Sequence, residues 1–139
     1  MINECIKKTL TDIETAAKQK AKPDAVVHEQ MAVGEYHRQG DVYLVRVSAN
    51  YRGCTIQPQQ RQLAPGETQG SRHIIRESDM AHLEFLRIAN PTPLDGPRIK
   101  AKKAFTVDHP EHGAVTLPAG TYDVKYQRQY AQEMRRVAD

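Results

Sequence analysis

Phe105-Thr-Val-Asp-His-Pro-Glu-His-Gly-Ala-Val-Thr-Leu-Pro-Ala-Gly-Thr-Tyr-Asp-Val-Lys-Tyr126 decides how the rest of the chain is read. Val115 and Leu117 share one side of an extended run, Pro118-Ala-Gly120 carries turn chemistry, and Tyr122, Val124 and Tyr126 share one side of the returning run. The pattern predicts a β-hairpin over 115–126. Thr121, Asp123 and Lys125 alternate with the apolar set, so one face of the sheet should be wet and the other packed.

Working outward, Ile99, Ala101, Lys103, Phe105 and Val107 keep the period of two and predict one amphipathic strand that leads into the hairpin. Val42-Tyr43-Leu44-Val45-Arg46-Val47 concentrates β-branched and aromatic residues, and its near-continuous apolarity predicts a central strand. Arg72 to Arg76 and Leu83 to Ile88 read as further short strands, the second in competition with a helical turn capped by Ser78 or Asp79. Gln57 to Gln69, with Pro58, Pro65, Gly66 and glutamines at 57, 59, 60, 62 and 69, reads as a long polar loop; Pro91, Pro93, Gly96 and Pro97 mark another break. Tyr43, Val45, Phe105, Val115, Leu117 and Val124 are the expected core.

At the start of the chain, Ile2, Cys5 or Ile6, Leu10, Ile13 and Ala17 recur at helical spacing up to the stop at Pro23. Tyr126, Tyr130, Met134 and Val137 do so at the end, with a strand through Tyr130 as the alternative. The expectation is a mainly β fold, a small sandwich or partly closed barrel with short terminal helices. Residues 1–22 form a helical extension, and 23–139 a single β-rich domain. Strands do not alternate with long helices, which excludes a doubly wound α/β enzyme.

Composition narrows the function classes. The 139 residues suffice for one domain core without staples. Cys5 and Cys54 lack chelating spacing and read as reduced thiols. No apolar run approaches the roughly 18 residues of a membrane span and no secretory leader opens the chain, so a cytoplasmic protein off the membrane is expected. The net charge of +3, from 20 basic and 17 acidic residues, is too small and too dispersed to define a phosphate-binding surface. Without Trp and with two Phe, a base-stacking platform would have to rely on the six Tyr.

Two histidines and a carboxylate lie within His109-Pro-Glu-His112, and His73 could join them from a neighbouring strand. A shell of His73, His109 and His112 could hold zinc or iron with a position left open. Pro110 and the spacing rule out the His-Glu-x-x-His helix of a zinc protease. The simpler expectation is a polar loop in which one histidine is exposed and the other bonds backbone. Ser71 next to Arg72-His73 lacks a Gly-x-Ser-x-Gly elbow, and Gly66 and Gly70 lack the Lys-Ser/Thr of a phosphate loop. Arg98, Lys100, Lys102 and Lys103 form a basic patch that could contact nucleic acid but fits a solubilised sheet edge better.

Pro118-Ala-Gly120 resembles the Pro-x-Gly turn in the second motif of cupins, which implies a β-barrel metal site; Asp123 stands where that family presents a histidine. A wider resemblance, carried by Gln39 to Val42, His109 to Tyr122 and Arg135 to Val137, is to small uncharacterised bacterial proteins with a His-x-Glu-His-Gly…Leu-Pro-Ala-Gly-Thr-Tyr segment. It implies a single domain and brings no activity. The favoured function is a non-enzymatic protein-interaction or assembly module. It would bind a protein or a second copy through Gln59 and Gln62 of the glutamine loop and His109, Glu111 and His112 of the turn. A metal-binding, cupin-like enzyme and a weak nucleic-acid-binding module are the alternatives.

Overall fold

A computed structural model describes residues 25–127. The helix expected over 1–22 lies outside the described residues, as does almost all of the one expected from Tyr126 to Val137. In chain order the strands are β1 (Val26–Val27), β2 (Tyr36–Gln39), β3 (Val42–Val47), β4 (Thr55–Ile56), β5 (Ile74–Ile75), β6 (Leu83–Arg87), β7 (Asp95–Ala101), β8 (Phe105–Asp108), β9 (Val115–Leu117) and β10 (Gly120–Tyr126). They make a four-stranded sheet in the order β1-β9-β8-β5 and a six-stranded sheet in the order β2-β3-β10-β7-β6-β4. Among the described residues, only β1 with β9 pairs in parallel. The fold is a β-sandwich, and neither sheet closes into the barrel that the cupin likeness implies.

The decisive stretch folds differently from its pattern. Val115–Leu117 and Gly120–Tyr126 do not pair with each other. β9 pairs back onto β8, with Phe105 opposite Leu117 and Val107 opposite Val115, while β10 inserts between β3 and β7 of the other sheet. The hairpin is therefore β8–β9, closed by residues 109–114, and Pro118-Ala119 is a corner between sheets. Proline has no N–H to offer a ladder, so it suits the point where pairing with one sheet stops before pairing with the next begins. Tyr122 Oη donates to Pro118 O at 2.7 Å and pins that corner. Arg46 Nη1 donates to Ala119 O at 3.2 Å, with its guanidinium against Gly120, where φ is +154° and a Cβ would collide with it.

The strand expected from Ile99 to Val107 is likewise two strands in two sheets. β7 ends at Ala101 and β8 begins at Phe105, the chain crossing at Lys102-Lys103-Ala104. Period two survives such a corner, so periodicity alone cannot reveal it. The helical turn and the strand at Leu83 both exist, one after the other: a 3-10 helix spans Glu77–His82, with Arg76 at its N-cap position and no cap by Ser78 or Asp79, and β6 follows.

Between the sheets lie Leu44, Ile75, Phe85, Ile99, Phe105, Val107, Val115, Leu117, Tyr122 and Val124, all buried. Phe105 of one sheet and Tyr122 of the other meet edge to face at 5.5 Å between centroids. Tyr43 and Val45, expected in the core, are half-buried on the outer face, because β3 turns Val42 and Leu44 inward. Thr121 and Asp123, expected to be wet, are 3% and 6% exposed. Loop 48–54 crosses the outer face there: Tyr51 Oη bonds Thr121 Oγ1 at 2.6 Å, and Arg98 grips Asp123 through Nε–Oδ1 at 2.6 Å and Nη2–Oδ2 at 3.0 Å.

Leu117→Ala should lower unfolding free energy by about 2–5 kcal/mol, since the fully buried side chain sits where both sheets close on it. Urea unfolding followed by tyrosine fluorescence measures it; a loss near zero would show that the site collapses without cost.

Candidate functional site

The histidines predicted to cluster do so, around a glutamine the sequence did not single out. The β2–β3 turn places Gln39, 2% exposed, beneath the β8–β9 hairpin. Its Nε2 donates to Val107 O at 3.0 Å and Gly113 O at 2.7 Å, and its Oε1 lies 2.8 Å from His73 Nδ1. Two carbonyl acceptors fix the amide orientation, so Oε1 accepts and His73 carries its proton on Nδ1. His73 Nε2 is then a buried lone pair without a partner. Burial first, then His109 and His112, push the His73 pKa down to about 3; the Gly70 carbonyl acts the other way.

His109 is 5% exposed and stacks between its neighbours, 4.4 Å from His73 and 4.5 Å from His112 between centroids. Its Nε2 bonds Gly70 O at 3.1 Å, while Nδ1 accepts the backbone N–H groups of Glu111 at 3.0 Å and His112 at 3.1 Å. Both ring nitrogens are thus committed to backbone, and the imidazole shapes the loop in the manner of a side-chain cap. Glu111 and His112 are exposed, with the His112 ring over Gly40, where a Cβ would come within 2.7 Å of Nε2. One histidine bonding backbone and one exposed is the simpler of the two sequence expectations. For the zinc or iron shell of His73, His109 and His112, the rings converge but the middle one has no lone pair to give. Among the described residues no group of three or more His, Cys, Asp or Glu side chains could hold a metal ion.

The glutamine loop bonds back to its own chain as well, with Gln59 still exposed. Gln59 Nε2 donates to Met80 O and Leu83 O, each at 2.9 Å, which satisfies the edge of β6. Gln62 Nε2 donates to Ala64 O and Gly66 O, each at 2.8 Å, and Gln60 Nε2 reaches Gln62 O at 3.3 Å. The two glutamines expected to meet a partner spend their donors on backbone carbonyls of their own chain. Composition could not tell a solvated glutamine loop from a self-bonded one.

Two of the four residues of the basic patch, Arg98 and Lys102, face carboxylates, as does the neighbouring Lys125. Arg98 pairs with Asp123, Lys102 Nζ lies 3.7 Å from Glu84 Oε1, and Lys125 pairs with Asp95. Lys100 sits 5.1 Å over the Tyr51 ring, and Lys103 is exposed in the sheet-crossing turn. Counterion-release binding needs several cations on one face, and the carboxylates beside Arg98 and Lys102 reduce what this patch offers.

The outer side of β2 stands open, as does Ile56 on β4, 90% exposed. Tyr36 is 59% exposed and its ring lies 5.5 Å from Tyr43; the Arg38 guanidinium lies 5.6 Å from the Tyr43 centroid, steered by Nε donating to Gly40 O at 2.8 Å. The sequence carried this signal, since Tyr36 and Arg38 stand at period-two spacing, but by composition residues 23–40 read as a linker with at most a short strand before a Gly40-Asp41 turn.

Fold and site define a two-sheet β protein with a buried glutamine–histidine latch and an open aromatic edge. Residues 38–127 match the domain of unknown function DUF8820, and the chain belongs to that family. No curated protein and no solved structure matches it. Among the described residues no helix is long and apolar enough to cross a membrane.

Gln39→Leu should destabilise by about 2–5 kcal/mol, because two carbonyls and the His73 N–H lose their partner at about 1–3 kcal/mol each with partial relaxation. Equilibrium denaturation reads it, and a loss below that of a surface Gln→Leu control would contradict the latch. The His73 shift has a signed consequence. A folded-state pKa near 3 against 6.5 unfolded means that the unfolded chain takes up the proton first. This stabilisation is complete above pH about 6.5 and is lost as the pH falls from there toward about 3. Between pH 6.5 and about 5, above most carboxylate titrations, wild-type stability should fall more steeply than that of His73→Asn; equal slopes would refute the assignment.

Proposed function

We propose that this chain is a non-enzymatic protein-interaction or assembly module whose contact surface is the outer face and free edge of β2, with Tyr36, Arg38 and Tyr43 at its centre. One observation carries the reading: a large aromatic side chain, 59% exposed, is held beside a second tyrosine and an oriented arginine on a strand at the border of a sheet. Tyrosine and arginine are enriched among the residues that concentrate binding energy at protein interfaces; tyrosine brings large contact area with two side-chain torsions to fix, and Arg38 is already oriented by the Gly40 carbonyl and the Tyr43 ring. The exposed His112 against Gly40, and Glu111 beside it, border the same end of β2 and keep the 109–113 loop within the reading. Gln59 and Gln62 drop out of it, their amide donors being engaged internally. Protein fits this face better than nucleic acid, since Arg98, Lys102 and Lys125 already face carboxylates.

Affinity capture from native lysate with wild type and with Tyr36→Ser/Arg38→Ser, followed by titration of the purified partner, tests the reading. The expected result is a partner, a second copy of the chain included, whose affinity drops at least about tenfold in the variant while circular dichroism stays unchanged. Binding indifferent to this face, or reproducible turnover of a metabolite that needs His109 or Glu111, would overturn it.

A further inference from the structure

The edges of the two sheets differ in what covers them. β1, β4 and β5 have two residues each, and β5 is flanked by residues 61–63, with Leu63 N bonding His73 O at 2.8 Å and Ile75 N bonding Arg61 O at 2.9 Å. β2, with four residues, is the longest edge strand. Antiparallel ladders alternate bonded and non-bonded pairs. Arg46 N donates to Glu35 O at 2.8 Å, so Glu35–Arg46 is a bonded pair, and His37–Leu44 and Gln39–Val42 are the next two. Tyr36 and Arg38 fall between them, which turns their N–H and C=O groups away from β3 toward the free edge. Among the described residues, no backbone partner meets them there.

We propose that this edge pairs with its own copy: two chains align their β2 strands antiparallel about a two-fold axis at His37, joining the two six-stranded sheets into one. The inference rests on the interaction-module reading and names its partner. Register follows from side-chain chemistry. Centring on His37 puts Tyr36 opposite Arg38 of the other copy, twice by symmetry, and aligns the outward N–H and C=O of each with those of the other. Each guanidinium, already over Tyr43, then gains a second ring, a cation–π contact on each side. Centring on Arg38 would set two guanidiniums face to face, and centring on Tyr36 would carry Arg38 past the partner's strand to Gly34. On the axis, burial and the neighbouring His28, whose Nε2 lies 2.8 Å from His37 Nδ1, hold His37 toward its neutral form, so like charges do not meet there. An isologous contact of this kind closes on itself and leaves no further copy of the edge exposed. A pairing through so short a strand belongs with the small, transient interfaces, and a Kd of about 1–100 µM is the expected outcome.

Light scattering and sedimentation of the full chain across that concentration range test the pairing. Wild type should dimerise, Tyr36→Arg should be monomeric because guanidiniums then oppose each other, and the exchange Tyr36→Arg with Arg38→Tyr should restore the dimer. Should Tyr36→Arg unfold, hydrogen exchange on wild type decides: the Tyr36 and Arg38 amides gain protection with protein concentration if the edge pairs and stay unprotected if it does not. A wild-type monomer at about ten times the upper Kd, or a dimer unaffected by all three chains, overturns self-pairing. In that event a different protein bound through Tyr36 and Arg38 leaves the interaction-module reading standing, whereas no binding through this face removes both.

Discussion

The corner at Pro118–Gly120 is the constraint on which the sandwich depends. Five residues before it, the chain is still in the loop that closes one hairpin; immediately after it, the chain is the central strand of the opposite sheet. The tyrosine hydroxyl that bonds Pro118 O belongs to a side chain buried between the sheets, against Phe105. One residue therefore fixes the direction of the turn and the spacing of the layers. Arg46, from the strand beside β10, closes the other side of the corner through Ala119 O and stacks 5.6 Å from the Tyr122 centroid. The missing side chain at Gly120 is what lets that guanidinium approach.

A second theme is the glutamine side chain as a stand-in for backbone. Short strands and frequent crossings leave many peptide groups without a ladder neighbour, and each one left buried and unpaired is costly. Gln39 supplies donors to two carbonyls of the β8–β9 hairpin, Gln59 to the edge of β6, and Gln62 to the loop that follows it. A primary amide suits the task because it offers two donors and an acceptor without the desolvation penalty of a charge. In this way a stretch so rich in glutamine satisfies its own backbone.

Charge is handled in the same economical way. Asp123 would be an isolated buried carboxylate on β10, but Arg98 on the adjacent strand meets it with two bonds, and Arg98 in turn reaches Asn50 O at 2.6 Å. The residue that looked like part of a nucleic-acid patch is thus a fastener for loop 48–54. Among the described residues, setting aside the ion pairs and the self-bonded glutamines leaves Tyr36 on the β2 edge, with Ile56 on β4 and Val27 and Val33, as large side chains that stay exposed.

From the sequence alone follow the strand-rich class, the positions of β3, β6 and β10, the burial of Phe105, Val115, Leu117 and Val124, and the split between a backbone-bonded and an exposed histidine in the 109–113 loop. These depend on local alternation, on turn residues and on the spacing of one short segment, all of which one chain carries by itself. Tertiary structure decided which strands pair, and so that 115–126 is a corner and not a hairpin: period two is identical whether a strand returns to its own sheet or crosses to the next. It also decided the outward turn of Tyr43 and Val45, the burial of Asp123 and Gln39, and the bonding of the Gln59 and Gln62 amides to carbonyls of their own chain. In each case the outcome depends on which carbonyl, cation or loop lies across the side chain, and those partners are brought there from distant parts of the chain.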